Sequence, residues 1–118
     1  MENETLKERF LGTIFGQAVG DALGLSTEFM SKQEVDQFYP NGIENYSQIV
    51  QDEHRRRWQR GDWTDDTDMM LCILDSFVAC KKVDTLDIAR RLKKWMMNGG
   101  MGIGRHTYNV MALGDYTS

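Results

Sequence analysis

The amino-acid sequence predicts an all-α fold. Apolar residues recur every three to four positions in three long segments. Helix start and stop signals bracket those segments. No stretch shows the period-two alternation of a half-buried strand.

Four helical segments follow in order. The first runs from about Glu4 to Leu23, with Leu6, Phe10, Ile14, Phe15, Ala18, Val19 and Ala22 on one face. Glycine stands at every fourth place along it: Gly12, Gly16, Gly20 and Gly24. Gly24 is placed as a stop signal. The other three each cost ~1 kcal/mol against alanine inside a helix. Close packing of another helix would justify that cost, as would a ligand approaching the backbone. Residues 31 to 63 are polar and weakly patterned. Tyr39 to Gly42, "YPNG", is a turn, and "EHRRRWQRGDW" carries Arg55, Arg56, Arg57 and Arg60. Such a run reads as a solvated, mobile loop; the sharper reading is a loop that screens an acidic site or meets a phosphorylated substrate.

The second helix starts near Asp65 and ends near Cys80, with Met70, Ile73, Leu74, Phe77 and Val78 as its buried face. The third starts at Asp84 or Thr85 and stops at Asn98-Gly99-Gly100. Ala89, Leu92, Trp95 and Met96 face inward there, while Arg90, Arg91, Lys93 and Lys94 face out. The fourth covers His106 to Leu113.

The composition bounds the function classes. At 118 residues the chain is about one small domain, and a net charge of −4 argues against nucleic acid as a partner. The opening "MENETLKERF" lacks the apolar core of a signal peptide. The best apolar run, Phe10 to Leu25, is broken by Gln17 and Asp21 and is short for a membrane span. Cys72 and Cys80 on one helix lie ~12 Å apart by helical rise, beyond disulfide reach. Two reduced thiols suit a cytoplasmic protein with no membrane partner.

The densest chemistry is "GDWTDDTDMMLCILDSF", Gly61 to Phe77, in which Asp62, Asp65, Asp66 and Asp68 fall within seven residues. Capping explains part of it. Thr64 is a good N-cap, and Asp65 and Asp66 in the first turn complement the helix dipole for ~0.3–1 kcal/mol each. Asp68 gains less from the dipole, and Asp62 is left unexplained. Carboxylates ~4 Å apart repel by ~4 kcal/mol at an effective dielectric of 20. If these side chains converge, a cation holds them together, and oxygen donors without His or Cys select Mg²⁺, Ca²⁺ or Mn²⁺.

"GTIFGQAVGDALGLSTEF" (residues 12–29) followed by "GDWTDDTDMML" (residues 61–71) resembles the amino-terminal signature of the ADP-ribosylglycohydrolase family. "GGMGIGRHTYNVMAL" (residues 99–113) resembles, more loosely, that family's glycine-rich loop and the helix after it. The resemblance implies an orthogonal helical fold around two Mg²⁺ (or Mn²⁺) ions. It implies Thr64, Asp65 and Asp66 as ligands of one ion, and Glu28 as the catalytic or water-positioning acid. It implies Gly100, Gly102 and Gly104 as backbone donors to the diphosphate of ADP-ribose. Asp21 is expected to be structural. The activity implied is hydrolysis of ADP-ribose from modified protein side chains.

Family members are longer and carry a D-x-D-T metal motif near the carboxyl end, which these 118 residues lack; Asp115 does not replace it. The expectation is therefore that residues 1–118 are the amino-terminal part of a single domain, about four helices of a larger bundle. Such a part is expected to expose apolar faces, self-associate and show little or no hydrolysis. Whether it acts as an enzyme stays open at this point. The alternatives are a non-catalytic ADP-ribose-binding or structural relative, and a helical interaction module whose acids are only caps.

Overall fold

The computed structural model describes residues 3–117. Its regular structure is helical: α1 (Asn3–Gly24), α2 (Lys32–Phe38), α3 (Asp65–Cys80), α4 (Thr85–Met97) and α5 (Arg105–Met111), with short 3-10 turns at Leu25–Thr27, Tyr46–Gln48 and Arg55–Arg57. No strand occurs among the described residues. The chain forms two compact units, Met1–Trp63 and Thr64–Ser118. None of the described helices is long and apolar enough to cross a membrane.

In the first unit, α1 departs from expectation in its face and in how it ends. The α-helix ends at Gly24 as expected, but Gly24 keeps right-handed angles (φ −61°, ψ −32°), so the end is not a left-handed glycine stop. The chain tightens directly into the Leu25–Thr27 turn, and Phe29, at φ 62°, turns it away. Only Ala22 of the predicted apolar face is buried; Leu6, Phe10, Phe15 and Val19 are exposed, Phe15 to 65%. The glycine stripe is equally open, since a Cβ added at Gly12, Gly16 or Gly20 would meet nothing within 4 Å.

Helix α2 is a fifth helix, where the sequence suggests irregular chain. Its signal is a capping box. Ser31 Oγ accepts from the Glu34 backbone N–H at 3.1 Å, and Glu34 Oε1 accepts from the Ser31 N–H at 3.3 Å. The following segment is ordered by side chains bonding to backbone. Tyr39 Oη accepts from Val50 N–H at 3.0 Å, and Arg60 Nε donates to Ile49 O at 2.7 Å. Gln51 Nε2 donates to Trp58 O at 2.8 Å. Leu25, Tyr39, Ile49 and Trp58 are buried. The predicted turn at Tyr39–Gly42 is present, closed by Gly42 N–H to Tyr39 O at 3.0 Å with Gly42 at φ 77°.

The second unit is built on an antiparallel pair. The start of α3 is tied to the end of α4 by Trp95 Nε1 donating to Asp68 Oδ2 at 3.1 Å. At the other end, Ser76 neighbours the Asp87 carboxylate, although its buried hydroxyl makes no hydrogen bond among the described residues. Asp84 caps α4 by accepting from Asp87 N–H at 3.0 Å, as its position in the sequence suggests. The predicted buried face of α3 needs correction at its end: Phe77 and Val78 are exposed, Val78 to 68%, whereas Thr67 and Ser76 are the fully buried side chains. A serine at 0% exposure leaves little standing between α3 and its neighbour. The fourth predicted helix, α5, is shorter at its end than expected and stops at Met111. Cys72 and Cys80 are free thiols, and burial pushes both above the ordinary thiol range.

Candidate functional site

Glu28 follows the Leu25–Thr27 turn, and its backbone N–H donates to Leu25 O at 3.3 Å. Its position is fixed from a distant part of the first unit. Arg55 is only 3% exposed. Its Nε donates to Leu25 O at 2.8 Å, its Nη2 donates to Glu28 O, and its Nη1 pairs with the Asp52 carboxylate. One guanidinium thus spans the turn that carries Glu28, using the fork of donors that only arginine presents. Asp52 supports it: Oδ1 accepts from Arg55 N–H at 2.9 Å. That bond first, and then the guanidinium charge, hold the Asp52 carboxyl below the usual carboxylate range against partial burial.

The Glu28 side chain has a partner of its own. His54 Nε2 lies 2.8 Å from Glu28 Oε2, and the carboxylate remains 41% exposed. The imidazole is boxed edge-on by Phe29 (5.1 Å, 62°) and Trp58 (5.4 Å, 74°). Arg57 covers the Trp58 ring at 4.7 Å and places Nη2 3.0 Å from His54 Nδ1. Trp58 Nε1 is buried without a hydrogen-bond partner among the described residues. The arginine-rich stretch is therefore anchored as well as solvated: Arg55 is buried, while Arg56, Arg57 and Arg60 stay exposed. Arg55, Arg57 and Arg60 are all spent on fixed acceptors or rings.

Thr64, Asp65 and Asp66 stand at the amino-terminal end of α3 in the second unit. Thr64 occupies the N-cap position in extended conformation and is buried, yet its side chain makes no capping hydrogen bond. The simple capping account of this threonine therefore fails. Asp65 is half-buried, Asp66 exposed, and Asp68 is committed to Trp95. The aspartates thus divide their work: Asp68 ties two helices together. One hydroxyl and two carboxylates at Thr64, Asp65 and Asp66 suit a hard divalent ion. No three His, Cys, Asp or Glu side chains among the described residues are grouped to hold one.

The glycine loop between α4 and α5 begins as a Schellman closure. Gly100 N–H donates to Trp95 O at 3.1 Å and Gly99 N–H to Met96 O at 3.3 Å. Gly100, at φ 44°, strains any side chain, because an added Cβ would lie 3.0 Å from Met96 Cα. Its N–H is thus occupied in ending α4. Gly102 (φ 86°) turns the loop, and Gly104 is the N-cap of α5.

The ADP-ribosylglycohydrolase family profile matches residues 2–116. The chain belongs to that family. Among curated relatives it is 35% identical over 111 residues to the ADP-ribosyl-[dinitrogen reductase] glycohydrolase of Rhodospirillum rubrum, covering 88% of this chain and 34% of that protein. It is 31% identical over 98 residues to ADP-ribosylarginine hydrolase Tri1 of Serratia proteamaculans (strain 568), covering 83% of this chain and 24% of that protein. It is 29% identical over 107 residues to the protein of the same name from Pseudomonas putida (strain GB-1), covering 91% and 26%. The chain thus spans about a quarter to a third of the length of these relatives. No solved structure matches it.

In this ADP-ribosylglycohydrolase chain the residues missed by sequence reasoning are His54 and Arg55. Both act across 26 to 30 positions, on Glu28 and Leu25. The available signal was a histidine and an aromatic residue embedded in the arginine run, "HRRRW", an odd composition for a purely solvated loop.

Proposed function

We propose that this chain carries the amino-terminal part of a metal-dependent hydrolase that removes ADP-ribose from modified protein side chains. The family match over residues 2–116 carries the reading. The names of the Rhodospirillum and Serratia relatives point to modified protein side chains, arginine among them, as the substrate class. Thr64, Asp65 and Asp66 would hold Mg²⁺ or Mn²⁺ through a hydroxyl and two carboxylates. A bound ion of this kind supplies orientation of substrate oxygens and stabilisation of developing charge. Glu28 is the acid/base residue: it accepts a proton from the attacking water as the glycosidic bond breaks, and returns one to the departing side chain. Gly102 and Gly104 offer backbone N–H groups to the diphosphate, and Gly100 shapes the loop that presents them.

The test is thermal unfolding with and without Mg²⁺. The wild type is expected to gain stability with the metal, and the double variant Asp65→Asn, Asp66→Asn to lose that response; an unchanged metal response in the variant removes the assignment. Calorimetry with ADP-ribose and Mg²⁺ then separates a binding protein from a capping-only helical module, which should bind neither. The exposed apolar side chains of α1 support self-association, and a clean monomer on size-exclusion chromatography would contradict it.

A further inference from the structure

We propose that His54 is a positioning residue for the Glu28 carboxylate, held in its Nε2–H tautomer by Arg57. The inference rests on reading Glu28 as the acid/base group. A guanidinium only donates hydrogen bonds. Arg57 Nη2 lies 3.0 Å from His54 Nδ1, so Nδ1 is the acceptor of that pair. The ring hydrogen then sits on Nε2, which donates to Glu28 Oε2 at 2.8 Å. A ring with the hydrogen on Nδ1 would set donor against donor at Arg57 and acceptor against acceptor at Glu28. Both contacts select the same tautomer.

The ring also has little freedom to turn. Phe29 and Trp58 meet it edge-on, Arg57 Nε donates to His54 O at 3.2 Å, and the Arg57 guanidinium rests on Trp58. Glu28 is constrained at both levels. Arg55 fixes its carbonyl and His54 fixes one carboxylate oxygen. The second oxygen, Oε1, accepts no hydrogen bond from the described residues and belongs to a side chain 41% exposed. The arrangement leaves one oxygen for proton exchange and points it by holding the other. Alignment of a reacting group is where positioning residues exert their effect on rate.

Long-range ¹H–¹⁵N correlation of the histidine rings in the full chain tests this at a single neutral pH, without metal or ADP-ribose. The expected result is the Nε2–H pattern for His54, giving way to a mixture of tautomers in Arg57→Ala. The Glu28 side-chain ¹³C carboxyl signal should move in His54→Phe, which keeps a flat ring but no donor. It should return more than half-way in His54→Gln, which restores an amide donor. An Nδ1–H pattern in the wild type overturns the proposal, and so does a Glu28 signal indifferent to His54→Phe. A role in packing alone would leave Phe and Gln ranked the other way. With Mg²⁺ and an ADP-ribosylated arginine peptide, His54→Phe should lower kcat by roughly 10- to 100-fold with little change in KM. A wild type whose thermal stability ignores Mg²⁺ would count against the hydrolase reading, while the ring and carboxyl signals would still decide the role of His54.

Discussion

Two acid-bearing helix ends in this chain are held by opposite means. At the end of α1, Glu28 depends on side chains borrowed from 26 and 27 positions away, His54 on its carboxylate and Arg55 on its carbonyl. At the start of α3, Asp65 and Asp66 lie in the first turn of their own helix, and Asp68 accepts a hydrogen bond from Trp95 of the adjoining α4. The first arrangement stands or falls with a few long-range contacts. The second draws on the first turn of its own helix and on a bond to the neighbouring helix. Substitutions in the two regions should therefore differ sharply in cost.

The largest effect is expected at Arg55. Arg55→Ala strips partners from the Leu25 and Glu28 carbonyls and from Asp52. A buried polar group left unsatisfied costs about 1–3 kcal/mol, so urea unfolding should register a loss of about 2–5 kcal/mol. Arg55→Lys should recover less than half of it, because an ammonium cannot fork across two carbonyls. A loss below about 0.5 kcal/mol in the alanine variant would erase the contrast between the two regions.

Next comes the loop of the second unit, where geometry is local but unforgiving. Gly100 combines φ 44° with an approach to Met96 Cα that a Cβ would close to 3.0 Å. Left-handed backbone costs about 1–2 kcal/mol for an L-residue, and the contact adds to it. Gly100→Ala should therefore lose about 1–3 kcal/mol by thermal melting. Gly104→Ala, with nothing within 4 Å and φ −70°, should lose well under 1 kcal/mol.

These two cases mark where the sequence was legible. The bounds of α3 and α4, the Asp84 cap and the Asn98-Gly99-Gly100 stop all rest on interactions within five residues, and all match the structure. The Ser31-x-x-Glu34 box is equally local and announces α2, although the polar stretch around it masks the signal. What composition concealed was long-range. Nothing near Arg55 in the sequence says that its partners are Leu25 and Glu28, so the residue reads as solvated charge. The Thr64-Asp65-Asp66 run was legible as a pattern, but the distinct job of Asp68 required knowing where Trp95 lies. On α1 the apolar periodicity was real, yet a periodic face does not state what covers it, and here most of it is exposed.

A smaller effect appears in acid. Asp87 is lowered to about 2 from its ordinary 3.8, first by the Ser76 hydroxyl and then by Arg91, whose Nε donates to it at 2.7 Å. A carboxyl whose folded pKa is depressed adds stability that is present in full above 3.8 and fades as the pH falls towards 2. Urea midpoints measured from pH 5 down to pH 2 should decline for the wild type, and less steeply for Asp87→Asn. Ser76→Ala should also flatten the decline. Identical slopes in all three would mean that the Asp87 carboxylate contributes nothing across the titration.

The smallest effect is expected at Val78, and it bears on how a helix face is read. Helical periodicity places Val78 with Met70, Ile73 and Leu74 on the buried side, yet it is 68% exposed while Ser76, two residues earlier, is fully buried. Two residues along a helix turn by about 200°, so Ser76 and Val78 occupy nearly opposite sides, and α3 presents the small one to its neighbour. Val78→Thr should then change the melting stability by less than about 0.5 kcal/mol. Ser76→Val, which adds volume where no surface is accessible, should cost about 1–3 kcal/mol. The reverse ranking would place Val78 in the contact and restore the face that periodicity alone suggests.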